Sequence, residues 1–468
     1  MATKIIEQCQ VAPSSGAPSE QLLKLLHMDM IFLRIPNVLK TLVFYIFPCS
    51  ESHFLDIIVP NLKNSLSLTL KHFPPMAAKI VIDNNSGMPV SHYIAGQDSF
   101  PLTIVISNAD FVNLTGYHPR DAHLLHNFAP HLSETLSPTT KLTVAAIQVT
   151  LFPDQGVCIG LTRNHAIGDG ATTVRFMQMW ASINKYNGDD SHLLALGEKY
   201  LPSYDRGLVR DGDRLAMECW RQMTTRPPSA TTSLSSVLSS HARRFQATFV
   251  LREAEIQQLK NLVVAVNSKK VRVSSFVVAC AHLWTCLVKS AGEDVGDDER
   301  YYFGFPVDCR WRSNPPLPDN YFGNCSTIVM TESTYGKLRG REGFLAAAEA
   351  VGEAIQKTIG NGRRTMDGSV KFFVDSVERV GEMMGKRMVL VGGSSRFGLY
   401  GVDYGWGRAV KCEALQGDRS EVVYISESRE YRGGIEIGVS MPKAEMDAFA
   451  ASFGQGLAEA TEKLWCKM

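Results

Sequence analysis

His165 and Asp169 stand four residues apart, where an apolar strand pattern gives way to a glycine-broken turn. The stretch reads Cys158-Ile159-Gly160-Leu161-Thr162-Arg163-Asn164-His165-Ala166-Ile167-Gly168-Asp169-Gly170, and a helical pattern follows. Gly168 and Gly170 allow a sharp turn, so the imidazole can be lifted out of a sheet and into a cleft. A neutral imidazole can take a proton from a hydroxyl and return it to a leaving group. Asp169 could bond to the ring, or fix the turn by pairing with an arginine elsewhere. The plain alternative is a histidine that only satisfies a buried turn.

No protein nucleophile accompanies this base. The chain has no GxSxG elbow, no Walker loop, no GxGxxG after a strand and no HExxH. Its ten cysteines include no CxxC pair and no zinc-ligand spacing with histidine, so no metal is expected. A base without a nucleophile suits direct attack by a substrate hydroxyl or amine on an activated acyl group.

The elements that must position the base can be traced along 468 residues. Apolar residues make up 45% and charged residues 20%, enough for substantial cores in two or three domains. A net charge of +1 disfavours a nucleic-acid partner. The greasiest window, Met28 to Pro48, is broken by Arg34, Pro36 and Lys40, so no membrane span is expected. The cysteines, several of them inside apolar runs, fit a reducing cytosol.

Strands are expected at 4–11, 41–47, 77–82 and 102–107. Residues 141–152 and 156–163 read as a hairpin turning at Pro153-Asp154-Gln155-Gly156. Helices are expected at 51–73 and after Gly170, where Phe176, Trp180 and Ile183 form one stripe. Residues 188–240 carry Pro227-Pro228 and a Ser/Thr run, with a short helix near 214–223; they read as a connection between halves. The second half is expected to hold strands at 243–251 and 301–307, a strand running into a Gly/Ser turn at 388–396, and a hairpin over 421–440. Its helices are expected at 254–264, 276–288, 341–359, 370–384 and 443–466. This mixture favours two α/β or α+β sandwiches over one doubly wound sheet.

His165-Ala166-Ile167-Gly168-Asp169 matches the HxxxD motif of the plant BAHD acyl-CoA-dependent acyltransferases. Asp403-Tyr404-Gly405-Trp406-Gly407 resembles their DFGWG motif, with Tyr404 in place of phenylalanine, and more than 230 residues separate the two. Asn320-Tyr321-Phe322-Gly323-Asn324-Cys325 resembles the YFGNC signature of the clade that acylates anthocyanins, flavonoids and other phenolic glycosides. The resemblance covers essentially the whole chain.

It implies two chloramphenicol-acetyltransferase-like domains, at 1–195 and 241–468, joined by a crossover at 196–240, with a channel between them. His165 is then the general base, and Asp169 points away from the channel to pair with Arg310. Asp403, Gly405, Trp406 and Gly407 belong to a structural loop remote from the histidine. Acyl-CoA is the co-substrate, a phenolic glycoside the acceptor, and no cofactor is permanently bound. The family also implies a monomer, and the cysteine usage a cytoplasmic one.

The donor turns on Thr173. Malonyl-using members of the clade carry arginine there, and Arg175, two residues on, faces another side of a helix. A hydroxycinnamoyl donor is therefore expected, with malonyl-CoA as the alternative if Arg163 or Arg396 supplies the charge. Gly392 to Phe397 resembles a channel-lining loop, making Ser394, Arg396 and Phe397 candidate substrate contacts, with Phe32 beside the acceptor. Ser274 and Ser275 are placed to meet CoA at a helix N-terminus, or to act as a plain cap.

Overall fold

Two runs of wholly buried residues, Ala145–Phe152 and Gly156–Asn164, form the centre of the first sheet. Strands buried on both faces need cover on both sides, and their continuous apolar character reflects it. They pair as an antiparallel hairpin whose turn places Asp154 at φ 57°, a conformation aspartate tolerates. The computed structural model describes residues 3–34, 38–132, 141–189, 201–225, 243–266, 273–292, 295–359, 386–415 and 422–465.

The first sheet has six strands, in the order Thr3–Val11, Phe100–Ser107, Ala145–Phe152, Gly156–Asn164, Val38–Ile46 and Lys411–Leu415. Phe100–Ser107 and Ala145–Phe152 run parallel, and the other neighbours run antiparallel. Two helices, Val59–His72 and Gly170–Lys185, pack on each other beside it. Trp180 closes that contact, its Nε1 donating to Leu62 O at 3.2 Å and Ser65 Oγ at 3.1 Å. The expected helix over 51–73 is present, with one wider π turn at Phe54–Ile58.

The second sheet has seven strands: Ser326–Thr334, Arg300–Asp308, Met388–Ser394, Val422–Glu427, Ile435–Pro442, Arg244–Leu251 and Arg120–Asp121. The apolar helix Ser275–Ser290 lies under it, against helices Gly343–Ile359 and Lys443–Trp465. A four-stranded sheet of Glu20–Lys24, Pro89–Ile94, Lys79–Ile82 and Leu142–Thr143 completes the first half. The helix expected over 370–384 lies outside the described residues, as do 190–200 and 226–242 of the connection; Gly212–Thr225 between them is helical. No helix among the described residues is long and apolar enough to cross a membrane.

The halves exchange strands. Lys411–Leu415 adds to the first sheet beside Val38–Ile46, and Arg120–Asp121 adds to the second beside Arg244–Leu251. A buried ionic set sits at the exchange. Arg120 meets Glu413 at 2.6 Å, and Lys411 lies 3.5 Å from Glu413 and 3.7 Å from Glu436. Tyr117 and Tyr400 donate to the two oxygens of Glu436 at 2.9 and 2.7 Å. Two cations and two carboxylates balance, so none of the four is buried without an opposite charge.

Candidate active site

Asn164 ends the central strand and starts the turn. Its N–H donates to Val144 O at 2.8 Å, and its Oδ1 accepts from Ala166 N at 2.9 Å. A single 3-10 turn, His165–Ile167, follows, and Asp169 then caps the helix Gly170–Lys185 by accepting from Thr172 N at 3.0 Å. His165 is thus held between a strand and a helix that each end on a side-chain cap.

Two elements far away in sequence close on the imidazole. Asn324 donates from Nδ2 to the His165 carbonyl at 2.9 Å and to Asp29 Oδ1 at 2.8 Å, and its own N–H reaches Asp29 Oδ1 at 2.9 Å. Asp29 is buried in the helix His27–Arg34, and one turn further on the Phe32 ring stacks on His165, centroids 3.8 Å apart and planes 19° apart. Arg206 ties the same loop down, bonding Tyr321 Oη and Phe322 O at 2.6 Å each and standing 3.7 Å from Asp29.

Burial pushes the pKa of His165 down to about 3, with the positive charge of Arg163 adding to the effect. The ring is therefore neutral at physiological pH. Its Nδ1 is buried without a hydrogen-bond partner.

Asp169 does not serve the imidazole. Burial alone would raise its carboxyl, but the charge and hydrogen bonds of Arg310 outweigh that and hold it below its ordinary value. Arg310 grips it with two parallel bonds, Nη1 to Oδ2 at 2.8 Å and Nη2 to Oδ1 at 3.0 Å. Thr172 N and Cys325 N supply two more donors. Four donors fill the four lone-pair sites of the carboxylate, and none is left for His165.

The chain matches the Transferase family over residues 1–455. It belongs to the BAHD acyltransferases of that family. Among similar proteins is phenolic glucoside malonyltransferase 1 of Nicotiana tabacum, 37% identical over 97% of this chain and 99% of the relative. Another is malonyl-coenzyme:anthocyanin 5-O-glucoside-6'''-O-malonyltransferase of Salvia splendens, 34% identical over 96% and 95%. A third is coumaroyl-CoA:anthocyanidin 3-O-glucoside-6''-O-coumaroyltransferase 2 of Arabidopsis thaliana, 31% identical over 97% of each. Crystalline vinorine synthase shares the fold, with TM-score 0.69, 18% identity and 96% of each chain covered. So does F. graminearum TRI101 complexed with ethyl coenzyme A, with TM-score 0.67, 15% identity, and 92% of this chain and 97% of that one covered. The mixed α/β architecture is the BAHD fold, and membership makes the chain an acyltransferase.

The remaining candidates of this BAHD chain fall into three groups. Phe397 reaches the site: a Cβ on Gly170 would lie 2.6 Å from its Cε2, so a larger residue there would have to push the ring aside. Ser394 turns inward on its own loop, accepting from Arg396 N at 3.2 Å, and the Arg396 side chain is exposed. Thr173 is buried and donates from Oγ1 to Asp169 O at 2.9 Å within its own helix. Arg175 reaches out to Asp319 O at 3.1 Å. Ser274 caps the helix that Ser275 begins, accepting from Val277 N at 3.2 Å, and no hydrogen bond links either serine to the His165 turn.

The glycine-rich motif sits at the opposite end of the site helix. Sixteen residues at about 1.5 Å each place it roughly 24 Å from the histidine. There Asp403 Oδ2 meets Lys185 Nζ at 2.7 Å, and its Oδ1 accepts from Gly405 N at 2.9 Å and Gly407 N at 2.8 Å. Both glycines have positive φ, 96° and 85°. Trp406 stacks on Phe47 at 5.2 Å and on Tyr404 at 5.3 Å, and Tyr404 stands edge-on to Trp180 at 4.9 Å.

The Tyr404 hydroxyl is buried without a partner. Restoring phenylalanine there (Tyr404→Phe) is expected to raise stability by about 1–2 kcal/mol, since a desolvated hydroxyl disappears and the ring contacts stay. Urea denaturation at pH 7 measures it, and a loss of stability would refute it.

Proposed function

We propose that this protein transfers an acyl group from coenzyme A to a sugar hydroxyl of a phenolic glycoside, with His165 as general base. The observation that supports this reading best is a half-buried, neutral imidazole whose Nδ1 is shut in, with no serine or cysteine nucleophile joined to it among the described residues. Nε2 takes the proton of the acceptor hydroxyl as its oxygen forms a bond to the thioester carbonyl. The tetrahedral intermediate collapses with cleavage of the C–S bond, and the imidazolium returns the proton to the CoA thiolate. The products are an ester and free CoA, and no covalent enzyme species forms.

In this reading the two mixed sheets, with their helices, are the chloramphenicol-acetyltransferase-like halves, split near 1–195 and 241–468, and the substrates meet in a channel between them. Acyl-CoA and acceptor are the partners, no cofactor stays bound, and the protein is a cytoplasmic monomer. Nine described cysteines, all free, support a reducing compartment.

For the donor, the first reading is hydroxycinnamoyl-CoA. Thr173 places no cation on the first turn of the site helix, and Arg175 is turned outward. Malonyl-CoA is a second reading, favoured by Arg163. That guanidinium is 5% exposed, two residues before His165, and Gly168 O at 2.5 Å is its one hydrogen-bond acceptor among the described residues. A buried cation with donors to spare suits a carboxylate.

CoA release is measured with p-coumaroyl-CoA and malonyl-CoA side by side, on a flavonoid glucoside. The first reading expects at least tenfold higher kcat/KM with p-coumaroyl-CoA. The reverse order, abolished by Arg163→Met, would replace it with the second, and turnover with neither would overturn the acceptor class.

A further inference from the structure

A histidine that takes a proton at Nε2 must already carry one at Nδ1, and some acceptor at Nδ1 must hold it there. In many histidine-dependent sites a carboxylate does this. Here Asp169 is fully engaged by Arg310, Thr172 and Cys325. Asp29 also faces elsewhere, accepting from Leu26 N and from both nitrogens of Asn324.

The other group close to Nδ1 is the main-chain carbonyl of His165 itself. That oxygen already accepts from Gly168 N at 3.2 Å and from Asn324 Nδ2 at 2.9 Å. The ring feels this oxygen, but it makes no well-formed bond to it from Nδ1, and two donors already occupy its lone pairs.

Two atoms at this place remain unsatisfied. His165 Nδ1 and Asn324 Oδ1 are both buried and both without a hydrogen-bond partner. They belong to residues already joined at 2.9 Å. The orientation of the Asn324 amide is fixed, because its nitrogen must face the two acceptors, Asp29 Oδ1 and His165 O. Its oxygen is then the acceptor left over. Unmade bonds between buried partners are uncommon, and bonds of this kind often tighten only when substrate arrives.

We propose that Asn324 is the positioning residue of the catalytic histidine. Its Oδ1 accepts Nδ1–H, fixes the tautomer with the lone pair on Nε2, and keeps that bond while the ring is transiently an imidazolium. This rests on His165 being the base. Phe32, stacked on the ring, holds its plane, so the two groups set tautomer and orientation together. The charged neighbours do not compete for the proton. Arg163 on the strand side and Arg310 beyond Asp169 are cations, Asp169 is paired, and Asp29 is bonded to Asn324 rather than to the ring. Burial and the charge of Arg163 lower the pKa of His165, while contacts with its own main-chain carbonyl and, to a smaller extent, with the Asn324 side chain work to raise it. An amide acceptor suits such a base better than a carboxylate, because it orients the ring without drawing the substrate's proton onto it in advance.

The test reads the ring directly. Nitrogen-15 spectra of histidine-labelled enzyme, with His165 assigned by its loss in His165→Ala, should show Nδ1 protonated and Nε2 bare at pH 7. The opposite tautomer in the unaltered protein would overturn the proposal without any variant having to fold. In folded Asn324→Ala the tautomer preference should be lost, and kcat should fall roughly 10–100-fold with KM nearly unchanged, as for other partners that orient a histidine. Asn324→Ala with an unchanged tautomer and unchanged kcat would also overturn it. If His165→Ala abolishes transfer in that case, the general-base reading survives and only the role of Asn324 falls. If His165→Ala is fully active, the base itself is elsewhere.

Discussion

His165→Ala is expected to lower kcat by about 10²–10⁴-fold, the usual contribution of a positioned general base. The ring lies between a capped strand and a capped helix, and neither cap involves the imidazole. The variant should therefore fold, with KM for both substrates little changed. The pH profile makes the same point from the other side. A general base acts as the neutral ring, and burial, with the charge of Arg163, moves the pKa of His165 from about 6.5 down to about 3. A lowered pKa extends the neutral form towards acid. The kcat/KM of the native enzyme should therefore be flat from pH 8 down to about 5.5, measured as CoA release. An acid limb near pH 6.5 would mean that the base is a solvent-exposed histidine or that His165 is not buried in solution.

Asp169→Asn should damage stability more than any other single change at the site. Arg310 is 2% exposed and its charge is balanced chiefly by this one carboxylate. Asp308, at 3.4 Å, is the weaker second partner and is half exposed. Neutralising Asp169 leaves a guanidinium desolvated without its counter-charge, which costs about 3–5 kcal/mol. Unfolding in urea measures the loss.

The pH sense follows from the depressed pKa of Asp169. Its contribution is full above the ordinary aspartate value near 3.9 and disappears as pH falls through its lower folded value. Neutral and mildly acid solutions should give the same deficit. Adding Arg310→Met removes the stranded charge, so the double variant should recover part of the loss. A proton-relay role would give a different pattern, with activity abolished, stability intact and no rescue by Arg310→Met.

The parts of this molecule that were legible in its sequence are those decided locally. The hairpin of Ala145–Phe152 and Gly156–Asn164 shows as unbroken apolar runs around a turn. The site helix shows as a stripe behind a glycine-broken turn, and the candidate base shows as a histidine at the break. Five strands do not show in the pattern, Glu20–Lys24, Pro89–Ile94, Arg120–Asp121, Ser326–Thr334 and Lys411–Leu415. Ser326–Thr334 is half exposed and rich in polar residues, and Lys411–Leu415 places a lysine and a glutamate in the interior. A charge in a short segment reads as surface; here Arg120, from nearly 300 residues earlier, neutralises Glu413.

The same holds within the site. Thr173 follows from the resemblance, and Ser274 and Ser275 from helix position, but which way a threonine hydroxyl turns depends on the nearest carbonyl, and in Thr173 that carbonyl belongs to the cap of its own helix. Asp29 and Asn324 were missed as site residues because their partners are 295 and 159 residues distant. A lone carboxylate inside the apolar stretch from Met28 onward was the one available signal, since such a group is rarely buried without a specific partner.

The exchanged strand has a consequence for how the chain is made. Val38–Ile46 leaves the ribosome early, and its neighbour Lys411–Leu415 emerges only near the end of synthesis. At about 5–20 residues per second, that edge waits roughly 20–70 s for its cover. During that interval a strand with buried-type residues Leu42, Val43, Phe44 and Tyr45 presents open backbone groups, the kind of edge that pairs with other nascent chains. Slow elongation or late chain truncation would lengthen this exposure. Premature termination anywhere before residue 411 would leave the first half with its sheet permanently open, however complete its His165 turn.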